Sequence, residues 1–357
     1  MVIKYAIING LTLFITCMAV YGGLAQTTNN KSSAIDLPPY IKRLTYFGER
    51  ADWSLDGKKI LFIEKTYGDA YEIEVVTNKI RPITSHFYHG GFTRAMYLAN
   101  GDVLLSGSTS FDAANAIVNR TKKAELWILD KSYTKAPTRL GVKCYEGPAV
   151  SRKNLKIAWT VVHEQYPDQI TNGEGQIWMA DIVYENGVPS LQNKQLILDN
   201  PKSRYNYTKI ETQNFIPPFD NELTFQCYSP QGTETIKLNI ESGKVTNMSN
   251  SPGEWTEPEG ISPDGKFTLV ESDHHLKKGV QYIDIYKLQL DGSGKLERLT
   301  YFNNNKIYKA SNPVISDDGK FMALQIPKVG EPPGVGNGIF IYDLEKAKQY
   351  REKDAKN

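Results

Sequence analysis

Short hydrophobic runs alternate with tight polar turns along most of the chain. One unit recurs: a short strand, a turn of S-x-D-G-K type, a hydrophobic strand, a loop, and a strand rich in aromatics and aspartate. The turns are Ser54-Leu55-Asp56-Gly57-Lys58, Ser262-Pro263-Asp264-Gly265-Lys266 and Ser316-Asp317-Asp318-Gly319-Lys320, with a weaker copy at Ala99-Asn100-Gly101-Asp102. Degenerate copies are Ser151-Arg152-Lys153-Asn154 and Pro218-Phe219-Asp220-Asn221. Asp-Gly and Asn-Gly supply the positive φ angles that tight hairpins need. The pattern predicts second strands at 59–64, 103–107, 155–162, 223–228, 267–272 and 321–326. Third strands are expected at 71–76, 125–130, 176–182, 235–240, 282–290 and 338–343. Fourth strands are expected at 80–84, 244–248 and 296–300.

Six such units predict an all-β, six-bladed propeller. The last unit stops after its third strand, near Leu344, whereas the chain begins with an orphan strand at 41–47. That segment, Leu44-Thr45-Tyr46-Phe47 at its end, matches Leu299-Thr300-Tyr301-Phe302 at the end of the fifth unit. The N-terminal strand is therefore expected to complete the sixth blade and remove the open edges of the ring. A seventh blade would require the long segment 182–208 to hide one, and it lacks a turn signature.

Composition narrows the class. The chain has 357 residues, a net charge of +2, 40 % hydrophobic and 23 % charged residues. This excludes a largely disordered chain and argues against a dedicated nucleic-acid binder. The counts of 21 Tyr, 28 Gly and 18 Pro favour short strands and turns.

The first 25 residues read as a secretory signal peptide. Lys4 precedes an apolar run, and Gly23 and Ala25 occupy the small-residue positions of a cleavage site after Ala25. Thr16 before Cys17 makes a poor lipoprotein processing site. The expected order is signal peptide 1–25, linker 26–40, propeller 41–347 and polar tail 348–357, in a periplasmic or secreted protein. No later run approaches a membrane span, and a monomer is expected. Cys144 and Cys227 could pair in an oxidising compartment, but two separate half-buried thiols are the simpler expectation.

The S-[PDL]-D-G-K turns resemble the TolB-like, or PD40 (WD40-like), β-propeller repeat across 41–344. The resemblance implies the fold. It does not single out an activity, because such repeats occur in TolB, in propeller domains of prolyl-oligopeptidase-type peptidases and in metal-using oligogalacturonate lyases. The chain has no room for TolB's N-terminal α/β domain and no G-x-S-x-G elbow.

Propeller topology sorts the candidate residues. The Asp-Gly turns fall on one face and are structural, since the calcium-loop pattern with its distant Glu is absent. The opposite face collects all five histidines, His86, His89, His163, His274 and His275. They are either solvated loop residues or an acid–base or metal site, with His86, His89, His274 and His275 as metal candidates. The starts of the first strands place Arg50, Asp52, Arg94, Glu146, Glu211, Gln213, Glu257, Glu259 and Asn312 at the channel mouth. Such a set either clamps a charged ligand or forms an ion-pair network across a wet channel. Tyr67, Tyr71, Phe87, Tyr88, Phe111, Tyr166 and Trp255 lie near the same face and could stack on sugars or pack between blades. Insertions at 112–121, 164–175 and 327–338 are where recognition is expected.

Two functions follow. The first is a binding propeller that holds a cell-envelope protein or an acidic glycan on its loop face and channel mouth, through Arg50, Arg94, Glu146, Gln213, Glu257, Glu259 and Asn312. The second is a lyase on uronate chains. It would use His89, His163 or His275 as base, and Arg50, Arg94 or a divalent metal to neutralise the carboxylate. A hydrolase pairing Glu146 with Glu257 or Glu259 is a weaker variant.

Overall fold

In the computed structural model, which describes residues 35–200, 209–229 and 232–354, the three S-x-D-G-K turns close alike. The Ser54 carbonyl accepts the Gly57 N–H at 2.9 Å, and the Ser54 Oγ accepts the Lys59 N–H at 2.9 Å while donating to Asp56 Oδ1 at 2.8 Å. Asp56 Oδ1 also accepts the Lys58 N–H, at 3.1 Å. Ser262 and Ser316 repeat the carbonyl and hydroxyl contacts to Gly265 and Phe267, and to Gly319 and Phe321. Gly57, Gly265 and Gly319 sit at φ of +68°, +69° and +72°, where a side chain is strained. Each turn fixes the register of the two inner strands of its blade.

Six four-stranded antiparallel sheets result, forming a six-bladed β-propeller. Blade 1 is Glu49–Trp53, Lys59–Ile63, Ala70–Glu74 and Ile80–Pro82. Blade 2 is Phe92–Tyr97, Val103–Gly107, Glu125–Leu129 and Thr138–Lys143. Blade 3 is Tyr145–Val150, Lys156–Val162, Gly175–Glu185 and Val188–Asn200. Blade 4 is Lys209–Phe215, Glu222–Ser229, Gly232–Asn239 and Val245–Asn247. Blade 5 is Thr256–Ile261, Phe267–Ser272, Asp284–Gln289 and Leu296–Arg298. Blade 6 is Ser311–Ile315, Phe321–Gln325 and Phe340–Asp343, completed by Ile41–Arg43 from the start of the chain. Each first strand touches the first strands of the next and preceding blades, and that of blade 6 returns to that of blade 1. Apolar cores lie between successive sheets. Trp159, Ile157 and Leu126 pack between blades 2 and 3, and Phe225, Ile177 and Leu223 between blades 3 and 4.

The closing strand behaves as a fourth strand in detail. Ile41, Lys42 and Arg43 pair antiparallel with Tyr342, Ile341 and Phe340. Beyond it, the Thr45 hydroxyl accepts the Ile339 N–H at 2.8 Å and donates to the Phe47 carbonyl at 2.7 Å. The Thr84, Ser249 and Thr300 hydroxyls do the same for the N–H groups of Ala70, Thr235 and Ile285. A hydroxyl at the end of the fourth strand thus caps the start of the third in four blades. This is the physical content of the repeated Leu-Thr-Tyr-Phe segment.

Some expectations need correction. The fourth strands are shorter than expected, because the hydroxyl caps replace strand pairing at their ends. Blades 2 and 3 also have fourth strands, which the turn pattern left unmarked. The segment 182–208 holds no blade of its own among the described residues. Its long hairpin, paired from Glu185↔Val188 to Gly175↔Asn200, is the outer half of blade 3. The expected polar tail begins inside a helix, Leu344–Asp354. Its Ala347 is buried, its Tyr350 ring meets Tyr40 edge-on at 5.5 Å, and Arg351 donates to the Tyr342 hydroxyl at 2.9 Å. Cys144 and Cys227 form no disulfide and are fully buried, more deeply than expected. The signal peptide and its cleavage site lie outside the described residues. No helix among the described residues is long and apolar enough to cross a membrane.

Thr45→Ala removes the acceptor for a buried N–H at the closure. It is expected to lower unfolding stability by about 1–3 kcal/mol, with Thr45→Ser close to wild type. Equilibrium urea unfolding checks this, and equal loss in both variants would put the effect in packing instead of the hydrogen bond.

Candidate functional site

All six first strands carry a β-bulge. The register slips between Glu49 and Asp52, Phe92 and Arg94, Tyr145 and Ala149, Thr212 and Asn214, Pro258 and Gly260, and Ser311 and Val314. A bulge leaves residues out of the ladder and re-aims their side chains. The residues in or bordering these slips include Arg50, Arg94, Glu146, Gln213, Glu259 and Asn312. Arg50, Glu146 and Asn312 adopt φ of +55°, +61° and +46°, a conformation uncommon for residues with side chains.

These residues line two cavities. The upper one, about 270 Å³, is bounded by Arg50, Arg94, Glu146, Glu211, Glu257, Glu259 and Asn312, and by Arg120, Tyr228, Trp255, Glu271 and Lys309. Its rim includes Pro327, Glu331, Pro332, Pro333, Gly334 and Asn337 of the insertion 327–338. That insertion is held on blade 1, where the Gly334 carbonyl accepts the Thr66 N–H at 3.1 Å. The lower cavity, about 250 Å³, shares Arg50, Arg94 and Glu259 with the upper one and adds Asp52, Arg152, Gln213 and Asp317.

Two ion pairs cross the axis. Arg94 of blade 2 reaches Glu259 of blade 5, with Nη2 3.6 Å from Oε2, between the cavities. Glycine at 147 makes room, since a Cβ there would stand 2.9 Å from the Arg94 Nε. Arg152, after the first strand of blade 3, reaches Asp317, after that of blade 6, at 2.5 Å. It also donates to the Trp53 carbonyl at 2.6 Å and lies 3.4 Å from Asp52.

Charge in the upper cavity is segregated. Blade 1 contributes Arg50 with Glu49 beside it, blade 2 contributes Arg94, and the insertion 112–121 contributes Arg120, which binds Glu146 of blade 3. Asp112 begins that insertion by accepting the Ala114 and Asn115 N–H groups. Blades 4 and 5 contribute Glu211, Glu257, Glu259 and Glu271. Glu257 and Glu271 face each other across paired strands. Trp255 Nε1 donates to Glu257 at 3.0 Å, the Asn312 N–H to Glu271 at 2.6 Å, and Gln226 Nε2 to Glu211 at 3.3 Å. Asn312 Nδ2 donates to Glu259 at 3.1 Å and its Oδ1 accepts Gln325 Nε2 at 2.5 Å.

Crowding shifts the titrations. Burial, then the Glu146 charge, pushes Glu211 up to about 8 against the pull of Arg94 and Arg120. Burial and Glu259 push Glu271 up to about 7. Burial, Glu271 and Glu259 hold Glu257 well above the usual carboxylate range. Burial, Arg94 and Arg120 lower Arg50 to about 10. Arg50 is 9 % exposed, and its one ion pair is with Glu49 at 3.9 Å. The Glu49 carboxylate already accepts the Thr66 hydroxyl.

Of the expected mouth residues, Asp52 and Gln213 line the lower cavity alone and the rest line the upper one. The Gln213 Nε2 is buried and has no hydrogen-bond partner among the described residues. None of the five histidines lines either cavity. Each is held by neighbours: His89 by Asp69 at 3.0 Å, His163 by the Ile170 carbonyl at 2.6 Å, His274 by Glu254 at 2.7 Å. His275 meets the Tyr286 hydroxyl at 3.0 Å, and His86 lies 3.4 Å from the Lys135 carbonyl. Among the described residues no three His, Cys, Asp or Glu side chains stand close enough to hold a metal ion. Sharing a face of the ring did not bring the histidines together. Of the expected aromatics, Trp255 lines the upper cavity, whereas Tyr67 and Phe111 pack on each other at 5.5 Å. The insertion 164–175 folds back, and its Tyr166 and Ile170 pack on the core between blades 2 and 3.

Sequence reasoning missed Glu49, Arg120, Tyr228, Glu271 and Lys309. Glu271 had a visible signal, a carboxylate inside the apolar strand Phe267–Ser272.

No family model matches the chain, and no curated protein matches its sequence. Solved structures do resemble it. An oligogalacturonate lyase in complex with manganese has 14 % identity and a TM-score of 0.52, over 86 % of this chain and 79 % of that one. XC5397 of Xanthomonas campestris, a gluconolactonase, has 10 % identity and a TM-score of 0.53, over 85 % and 88 %. The β-propeller domain of the trilobed protease of Pyrococcus furiosus has 11 % identity and a TM-score of 0.50, over 82 % and 78 %. At these identities the likeness is one of fold.

The raised carboxyls set a pH dependence. In the unfolded chain a glutamate titrates near ~4.3, so between there and about 8 the folded chain binds more protons through Glu211 and Glu271. Their contribution to stability is therefore lost as pH rises through that window and levels off above about 8. Glu146, Glu257, Glu259, Arg94, Arg120, Lys209, Cys144 and Tyr228 are the charged and titratable groups around Glu211. The melting temperature is expected to fall from pH 5 to pH 8.5, and to fall less in Glu211→Gln. An equal fall in both would place the titration elsewhere.

Proposed function

We propose that this chain is a secreted or periplasmic β-propeller that binds a protein or glycan ligand on its loop face, through the upper cavity. The observation that supports this reading is Arg50. Its guanidinium is nine-tenths buried, has no hydrogen bond among the described residues and borders both cavities. A buried charge without hydrogen bonds is costly. A left-handed backbone inside a bulge holds it there. Strain and desolvation kept at a cavity wall fit a site prepared for a ligand better than a framework contact. The TolB-like resemblance of the turns supports the same reading at the level of fold.

The lyase reading draws no comparable support. Its proposed bases lie outside both cavities, and its candidate metal ligands are not gathered. Location outside the cytoplasm rests on the leader-like first 25 residues.

Arg50→Asn is the informative variant, because asparagine tolerates the positive φ while removing the guanidinium. A thermal-shift screen of the purified protein against oligosaccharides and peptides should yield ligands that raise its melting temperature. Arg50→Asn should weaken them by about 10- to 100-fold, the loss of one charge-assisted hydrogen-bonding group. Ligands that bind the variant as tightly as the wild type would move the site elsewhere.

A further inference from the structure

We propose that the ligand of the upper cavity is a small zwitterion, a free α-amino acid or dipeptide, with its carboxylate on the Arg50–Arg94 side and its ammonium on the Glu211–Glu257–Glu271 side. The inference rests on the binding function proposed above and names the chemistry of that site.

Placement around the ring carries the argument. In a six-bladed ring, blade 1 lies opposite blade 4 and blade 2 opposite blade 5. Arg50 and Arg94 occupy the first strands of blades 1 and 2, and the carboxyls occupy blades 4 and 5. The cavity therefore has a side that gathers its arginines, with Glu49 and Glu146 among them, and a side of carboxyls alone from blades 4 and 5 facing it. That Arg94 touches Glu259 across the axis at 3.6 Å shows how narrow the floor between those walls is.

Each wall is also incompletely compensated. Arg50 has five N–H donors and one distant ion pair, with a carboxylate already engaged by Thr66. A planar carboxylate is the acceptor that a guanidinium bonds most strongly. On the other wall, Glu257 and Glu271 are directly paired across strands, and Lys309 is the cation in the lining nearest to them. The Lys309 Nζ donates to the Val280 carbonyl at 3.2 Å, and burial lowers its affinity for a proton against the pull of the Glu271 and Glu257 charges, so it offsets them only in part. An ammonium between these carboxyls would relieve their mutual repulsion.

Other ligand classes satisfy one wall only. A uronate or sulfated glycan answers the arginines and adds charge beside seven carboxyl groups of the lining. A neutral sugar leaves both walls uncompensated. A simple amine or metal ion leaves Arg50 as it is. The cavity, at about 270 Å³, falls just below the range of about 300–1,000 Å³ common for ligand sites, which suits one or two residues. Trp255 and Tyr228 supply the ring surface for a side chain.

Calorimetric titration of the purified protein tests this. The probes are the α-amino acids, a set of dipeptides, and the N-acetyl and C-amide forms of whichever bind. At least one amino acid or dipeptide is expected to bind, with N-acetylation and C-amidation each weakening it tenfold or more. Arg50→Asn should weaken the parent ligand and abolish the penalty for the amide. Glu271→Gln should abolish the penalty for the acetyl form. Both variants must keep the wild-type circular dichroism spectrum. No binding by any amino acid or dipeptide up to millimolar concentration overturns the inference, as does binding that ignores acetylation or amidation. If an oligosaccharide instead binds and is lost in Arg50→Asn, the binding function stands and the zwitterion falls. If no probe of either panel depends on Arg50, both fall.

Discussion

Three paired residues hold the ring. Ile41–Arg43 against Phe340–Tyr342 converts a row of sheets into a closed circle, and the radius of that circle decides which side chains meet at its centre. An open ring would leave an unpaired edge on blade 6 and let the first strands of blades 1 and 6 drift apart. Closure is reinforced without further strand pairing. The Thr45 hydroxyl caps the next strand, Arg43 lies over the Phe340 ring at 4.3 Å, and the C-terminal helix clasps Tyr40 and Tyr342. Ile41–Arg43 and Leu344–Asp354 are thus both committed to one blade.

Given that circle, the six bulges make the site. A regular first strand would alternate its side chains between the two neighbouring blades, and the interblade cores would absorb them. The register slips break that alternation at one level of the channel in every blade. Charged side chains there project into the axis and cannot be exchanged for the apolar residues of the cores. Burial and mutual repulsion follow, and with them the raised carboxyls and the lowered Arg50.

Much of this was readable in the chain. The Ser-x-Asp-Gly-Lys turns placed the hairpins, and the match between Leu44-Thr45-Tyr46-Phe47 and Leu299-Thr300-Tyr301-Phe302 located the closure. Knowing which end of each first strand faces the loop side placed Arg50, Arg94, Glu146, Glu257, Glu259 and Asn312 at the mouth. What escaped depends on distance from the axis, which no periodicity encodes. The histidines occupy the expected face but lie off the channel lining. Arg120 arrives from an insertion whose short turns around Asp112 set its reach. Glu271 sits on a second strand, where the bulge opposite, and not its own alternation, lets it reach the cavity.

The two ion pairs across the axis also have a mechanical meaning. Arg94–Glu259 is a spoke joining blades 2 and 5, and Arg152–Asp317 is a spoke joining blades 3 and 6. Among the described residues no ion pair spans the third diameter, from blade 1 to blade 4. A hexagonal wheel braced on two diameters is less constrained along the third, the line that joins Arg50 to Glu211. That line runs between the two charged walls, and a molecule held between those walls would serve as the missing spoke.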